Sequence, residues 1–202
     1  MKSKSMRIRM NKIAPKRSEA QPILDQRSKV IQAPNALVFY PLALSEPTRK
    51  ASVEALNPVV ADTLYLRDMF KKHHWQVSGH TFYPLHLLFD KFFDEVSELV
   101  DLLGERVQTL GGVAVAMPND VVEMTRIQRP PRGREEVPVQ LSRLLEALAI
   151  VLGECHEVVL TARRNGDDGT DNLITSEVIP TLEKQVWFLS EHLVETPAVL
   201  AR

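Results

Sequence analysis

The sequence predicts an all-α protein, a four-helix bundle with a long crossover between its second and third helices. Three observations point there. Apolar residues recur near a 3.6-residue period over four long stretches. No alternating strand pattern stands out anywhere in the chain. The breaks are rich in Gly, Pro, Asn and Asp, and two of them are short while one is long.

Residues 1–32 read as a basic N-terminal tail, because they carry many charges and no hydrophobic periodicity. Residues 33–48, with Pro34, Pro41 and Pro47 around an apolar patch, read as an extended segment. The bundle is expected over 49–196 and a short C-terminal tail over 197–202. The first helix runs from about Arg49 to about Val77 on Val53, Leu56, Val60, Leu64, Leu66 and Phe70, and Pro58 is expected to start or kink it. Ser78-Gly79-His80-Thr81 breaks the pattern. The second helix spans about Phe82–Leu110 and ends at Gly111-Gly112. Residues 111–137 contain Pro118, Pro130, Pro131 and Gly133 and form the crossover, with a short extra helix over Asn119–Thr125. The third helix covers about Pro138–Arg164. After the Asn165–Gly169 turn, the fourth covers about Thr170–Val194, with a kink at Pro180.

The formal net charge of −1 conceals a division. Residues 1–32 hold nine Lys and Arg against two acids, a net +7, and the remainder carries −8. The single cysteine, Cys155, cannot form an internal disulfide, so a cytoplasmic chain is the default, and its apolar helical setting marks a buried packing residue. The first 20 residues lack the apolar core of a signal peptide, and the longest apolar runs are too short to span a bilayer.

The second helix carries the chemistry. With His86 at 0° and about 100° per residue, Asp90, Asp101, Asp94, Glu105 and Glu98 fall between about 40° and 120°. Leu85, Leu88, Phe89, Phe92, Phe93, Val96, Leu99, Val100, Leu103 and Val107 fall at about 200–340°. Leu87 is the exception, on the acidic side. Five acids and one histidine with no Lys or Arg in the arc repel one another, which a bound cation would offset. A plain solvated face is the alternative. His86/Asp90 and Asp101/Glu105 are both i,i+4 pairs, yet they start 15 residues apart, roughly 22 Å along the axis. One ion cannot use both from one chain. Two copies of the helix, antiparallel across a two-fold axis, would bring His86 and Asp90 of one to Asp101 and Glu105 of the other. His74 lies six residues before His80 as His86 lies six after, so a helical hairpin sets it level with His86. Imidazole with carboxylate suits iron, manganese or zinc, and the carboxylate-rich set favours iron. No Glu-x-x-His, His-Glu-x-x-His, Gly-x-Ser-x-Gly or phosphate-binding Gly-rich loop occurs.

The run KKHHWQVSGHTFYPLHLLFDKFFDEVSELVDLLGERVQTLGG resembles the signature of Dps, the ferritin-like DNA-protecting proteins of starved cells. VEALN before it, GDDGTDNL before the last helix and KQVWFLSEHL within that helix extend the likeness over about Lys50–Glu195. The resemblance implies a ferritin-like bundle assembled into a hollow homododecamer. It implies a ferroxidase that oxidises Fe(II), preferably with hydrogen peroxide, at two-fold interfaces, and stores ferric mineral. The family's iron ligands fall on His74, His86 and Asp90 of one subunit and on its neighbour's Asp101 and Glu105. Trp75 is placed beside the centre as an electron donor, with core packing as the alternative. Zinc is an alternative occupant.

His73 departs from the pattern and reads as a surface residue or an extra ligand. Pro58 and Pro180 interrupt helices that are usually continuous. Asp167, Asp168 and Asp171 either cap the fourth helix or line a three-fold pore that attracts ferrous ions. His156 reads as a bonded bundle histidine, and Trp187, Phe188 and Leu189 as core. Lys2, Lys4, Arg7, Arg9, Lys12, Lys16 and Arg17 suit non-specific DNA phosphate contact, against a solubilising tail. The expectation is therefore an iron-detoxifying ferroxidase in the cytoplasm, associated with the nucleoid if DNA is bound. The alternative is a nucleoid protein that acts mainly through its tail, with the metal site zinc-filled or weakly active.

Overall fold

The computed structural model describes residues 30–194. The tail positions Lys2, Lys4, Arg7, Arg9, Lys12, Lys16 and Arg17 lie outside them. Helices account for every regular element among the described residues: α1 (Glu46–Gln76), α2 (Phe82–Thr109), α3 (Pro118–Met124), α4 (Val137–Asn165), α5 (Asp168–Leu173) and α6 (Ile179–Glu191). A π-helical turn, Ile174–Val178, joins α5 to α6. The hairpin α1–α2 packs through α1 against α4, and α4 packs against α6, which gives the four-membered bundle.

Each boundary has a local cause. Ser45 caps α1, its hydroxyl accepting from Thr48 N–H at 3.2 Å, and Pro47 occupies the first turn where no N–H is needed. Helix α1 is unbroken through Pro58, so the expected interruption does not occur there. Gly166 at φ 73° ends α4, and the Asp167 N–H returns to Ala162 O at 2.9 Å. The predicted fourth helix is divided. Pro180 has no N–H to offer a carbonyl one turn back, and the chain adopts i→i+5 bonding before it, with Ile179 N–H bonded to Ile174 O.

The face assignment of α2 holds. Leu85, Phe89, Phe92, Val96, Leu99, Leu103 and Val107 are buried, whereas Leu87 is 49% exposed. Phe70 of α1 meets the Phe92 ring edge-on at 5.5 Å in the centre of the bundle. Cys155 is fully buried and free, and its thiol is pushed up to about 12 by burial. Two core readings fail. Trp187 and Phe188 are 61% and 40% exposed, and only Leu189 of that run is buried. His156 is exposed on α4.

The crossover is fastened to α1 by two polar side chains. The Asn57 amide donates to Val113 O and accepts from Val115 N–H, at 3.1 and 3.0 Å. Asp62 accepts from the Thr125 hydroxyl and the Arg126 N–H. The extended segment is held at the other end. Buried Arg49 donates from Nη1 to Val38 O and Leu110 O, each at 2.9 Å, and Val38 N–H reaches Gly111 O at 2.8 Å. Gly111, at φ 86°, is required there, because a Cβ would stand 2.2 Å from Val38 O.

Candidate metal centre

The turn between α1 and α2 sets the geometry. Val77 N–H closes on His73 O at 2.8 Å, Gly79 takes φ 92°, and Phe82 N–H reaches Gly79 O at 3.1 Å. So tight a reversal brings His74 and His86 level, as their spacing predicts. Their rings stack with centroids 3.7 Å apart and planes 19° apart. Each ring is fixed by the other residue's backbone: His74 Nδ1 lies 2.7 Å from His86 O, and His86 Nδ1 lies 2.9 Å from His74 O. A carbonyl only accepts, so both Nδ1 atoms carry the hydrogen, and in the neutral imidazole each Nε2 keeps a lone pair. That is the tautomer a metal-ligating histidine needs, held by the kind of backbone bond that usually orients one. Phe82 covers the His86 ring at 5.1 Å between centroids.

Asp90, one turn beyond His86, brings an oxygen to 3.8 Å from His74 Nδ1. The same oxygen accepts from the Lys71 ammonium. This hydrogen bond holds the Asp90 carboxyl below the usual carboxylate range, so the group is ionised. Lys71 also lies 4.0 Å over the Phe93 ring centroid. Lys71 was missed from the sequence. The available signal was a lysine on α1 three residues before His74, on the side that the hairpin turns toward Asp90.

Asp101 and Glu105 stand apart from this group, exposed on the same helix. They edge an open hollow of about 630 Å³ with Gly104, Val60, Leu64 and the crossover residues Ala114–Ala116. Asp94 and Glu98 are exposed between the two pairs, and these four acids form no ion pair among the described residues. Among the described residues, no three His, Cys, Asp or Glu side chains converge on one point within a chain. His74, His86 and Asp90 are therefore neighbours, with Asp90 turned to Lys71, and Asp101 and Glu105 make a separate pair.

Other predicted residues divide. Trp75 is 70% exposed, so the core-packing alternative fails. His73 is fully buried, which corrects the surface reading. Successive helical residues point about 100° apart, and His73 faces α4 while His74 faces α2. Its Nδ1 meets Gln140 Oε1 at 3.2 Å, Nε2 has no partner, and burial lowers its pKa to about 4. Asp167 is fully buried, caps α5 by accepting from Thr170 N–H at 3.1 Å, and pairs with Arg106. A carboxylate without exposed surface lines no channel, so Asp167 is a helix cap and not a pore residue. Asp171 pairs with Arg163 at 2.9 Å, and Asp168 is exposed in the first turn of α5.

A helix bundle with this crossover, carrying imidazole and carboxylate donors on its first hairpin, defines a ferritin-like protein, and the ferritin-like domain matches residues 53–199. DpsC from Streptomyces coelicolor superposes with a TM-score of 0.84 at 52% identity, covering 85% of this chain and all of that one. The chain belongs to the Dps family. An uncharacterised protein encoded in the 5′ region of bpoA2 in Kitasatospora aureofaciens is 45% identical over 73% of this chain and 99% of its own length. DNA protection during starvation protein 2 of Bacillus anthracis is 28% identical over 71% of this chain and 97% of its own.

Proposed function

We propose that this chain is a ferroxidase and iron store whose centres form between two copies. His74, His86 and Asp90 of one copy and its partner's Asp101 and Glu105 bind ferrous ions as substrate. The observation that carries this reading is the pair of stacked histidines whose Nδ1 atoms are tied to each other's backbone, beside an ionised Asp90. Each of two ferrous ions gives one electron to hydrogen peroxide, which takes up two protons and leaves as two waters. Because both electrons pass in one event, no hydroxyl radical is released. Trp75, exposed beside His74, is a reserve electron donor in this reading. Asp94 and Glu98 continue the acidic face toward the mineral, Asp168 attracts cations at the entry, and twelve copies enclose the store. Zinc competes for the same donors.

The test is anaerobic ferrous loading followed by peroxide, read by stopped-flow absorbance. Wild type should oxidise rapidly. His74→Ala combined with Asp90→Ala should lose more than about tenfold to a hundredfold in rate, the loss that removing even the groups behind a metal ligand brings. An unchanged rate would refute the assignment.

A second activity is supported by the +7 charge of residues 1–32 and by the name of the Bacillus anthracis relative. The tail binds DNA phosphates without sequence preference in the cytoplasm, and many tails on one assembly add avidity. Removing residues 1–32 should abolish a gel shift while leaving ferrous oxidation intact. Loss of neither would leave the tail a solubilising segment.

A further inference from the structure

Asp62 of α1 and Glu154 of α4 are 0% and 6% exposed, on the inward sides of two packed helices. One Asp62 oxygen is fully used, accepting from the Thr125 hydroxyl and from the Arg126 N–H at 2.9 Å. Arg126 then turns its guanidinium to Glu154, Nε to Oε1 at 3.1 Å, from a side chain 65% exposed. The other Asp62 oxygen and both Glu154 oxygens make no hydrogen bond. Yet Arg126 reaches both residues, Asp62 through its backbone N–H and Glu154 through its guanidinium, which sets the two buried carboxyl groups side by side. Two ionised carboxylates can only accept, so nothing joins them. A proton on one makes it a donor and serves both. The charge count agrees, because two acids against Arg126 leave −1 in a buried place and one proton brings the group to neutrality.

We propose that Asp62 and Glu154 share a single proton, and that this proton latches the crossover onto the bundle, holding it on the acid side of neutrality and loosening it on the alkaline side. The groups that face Glu154 are Asp62 from α1 and Arg126 from the crossover. Cys155 stands beside it on α4, with its thiol pushed up to about 12 and therefore neutral throughout. Burial first, and the Asp62 carboxylate second, push the Glu154 carboxyl up from 4.5 to about 7. A carboxyl raised on folding binds its proton better in the folded form. The latch is therefore complete below about 4.5 and lost as pH rises through about 7. Thr125 and Arg126 are the crossover residues held by Asp62 and close behind α3, so they and α3 feel the change first.

The test is hydrogen exchange of the backbone amides of residues 118–127 in the full chain without iron, corrected for the intrinsic pH dependence of exchange. Wild-type protection should fall by more than about tenfold from pH about 5 to pH about 9. Glu154→Gln supplies a permanent N–H donor to Asp62, so it should stay protected and flat with pH. Glu154→Ala should be poorly protected throughout. Infrared spectroscopy of wild type at pH about 6 should also show a protonated carboxylic acid that Glu154→Gln lacks, and this holds whether or not the alanine variant folds. A pH dependence that survives in Glu154→Gln, or absence of the carboxylic-acid band, overturns the proposal. Both readouts are iron-free, so they stand apart from the ferroxidase reading.

Discussion

In the proposed centre, Lys71 is the residue on which metal entry turns. Its ammonium occupies the Asp90 oxygen nearest His74, so a ferrous ion reaching Asp90 competes with a cation already in place. Lys71→Met keeps the packing stem over Phe93 and removes the charge. Ferrous affinity in anaerobic titration should rise about twofold to fivefold, the scale of a part-exposed charge pair. A fall would show that Lys71 helps to hold the site open. The pH dependence has a defined sign. Asp90 is held below the usual carboxylate range, so its charge and its share of binding are complete above that range and are lost only as pH falls through it. Loss of ferrous binding between pH about 7 and about 6 would therefore not come from Asp90.

At the scale of elements, the joints are more specified than the helices. Gly111 sits where α2 ends, where the extended segment docks and where Arg49 donates. Gly111→Ala meets both a positive φ and a 2.2 Å contact with Val38 O, so residues 33–44 must detach or α2 must fray. The expected loss is more than about 1 kcal/mol in urea unfolding, with new protease cleavage within residues 33–44. Inside the bundle, Phe92 is fully buried against Phe70. Phe92→Ala should cost roughly 3–5 kcal/mol by the same measurement, because it leaves a cavity between helices.

At the scale of the whole molecule, the exposed aromatic residues are the informative feature. Trp75, Tyr83, Trp187 and Phe188 are 70%, 67%, 61% and 40% exposed on one chain. Such groups make a surface suited to other copies. If twelve copies assemble at 22.8 kDa each, light scattering should give about 274 kDa. Trp187→Glu with Phe188→Glu should shift the distribution to smaller species, because a charge buried without a partner at an interface costs several kcal/mol. Unchanged size would place those aromatics outside the assembly contacts.

Much of this was legible from periodicity and spacing. The apolar arc of α2, the hairpin that levels His74 with His86, the two separated i,i+4 pairs and the long crossover all follow from rules that act along a single helix. The residues that escaped sequence reasoning depend on contacts between elements. Whether His73 or His74 faces the bundle follows from the rotation of α1 against α4, which adjacent identical residues do not reveal. Trp187 and Phe188 look like core because apolar character is the same whether a face is buried by its own chain or by another. Asp167 looked like a pore acid until Arg106, 61 residues earlier, arrived beside it. Lys71 meets Asp90 across a hairpin, and Asp62 meets Glu154 across 92 residues of chain. The amino-acid order determines which groups each helix presents, because side-chain direction repeats every 3.6 residues. The packing of helices decides which of those groups are paired, neutralised or left available, because burial and charge pairing depend on neighbours that are distant in the chain.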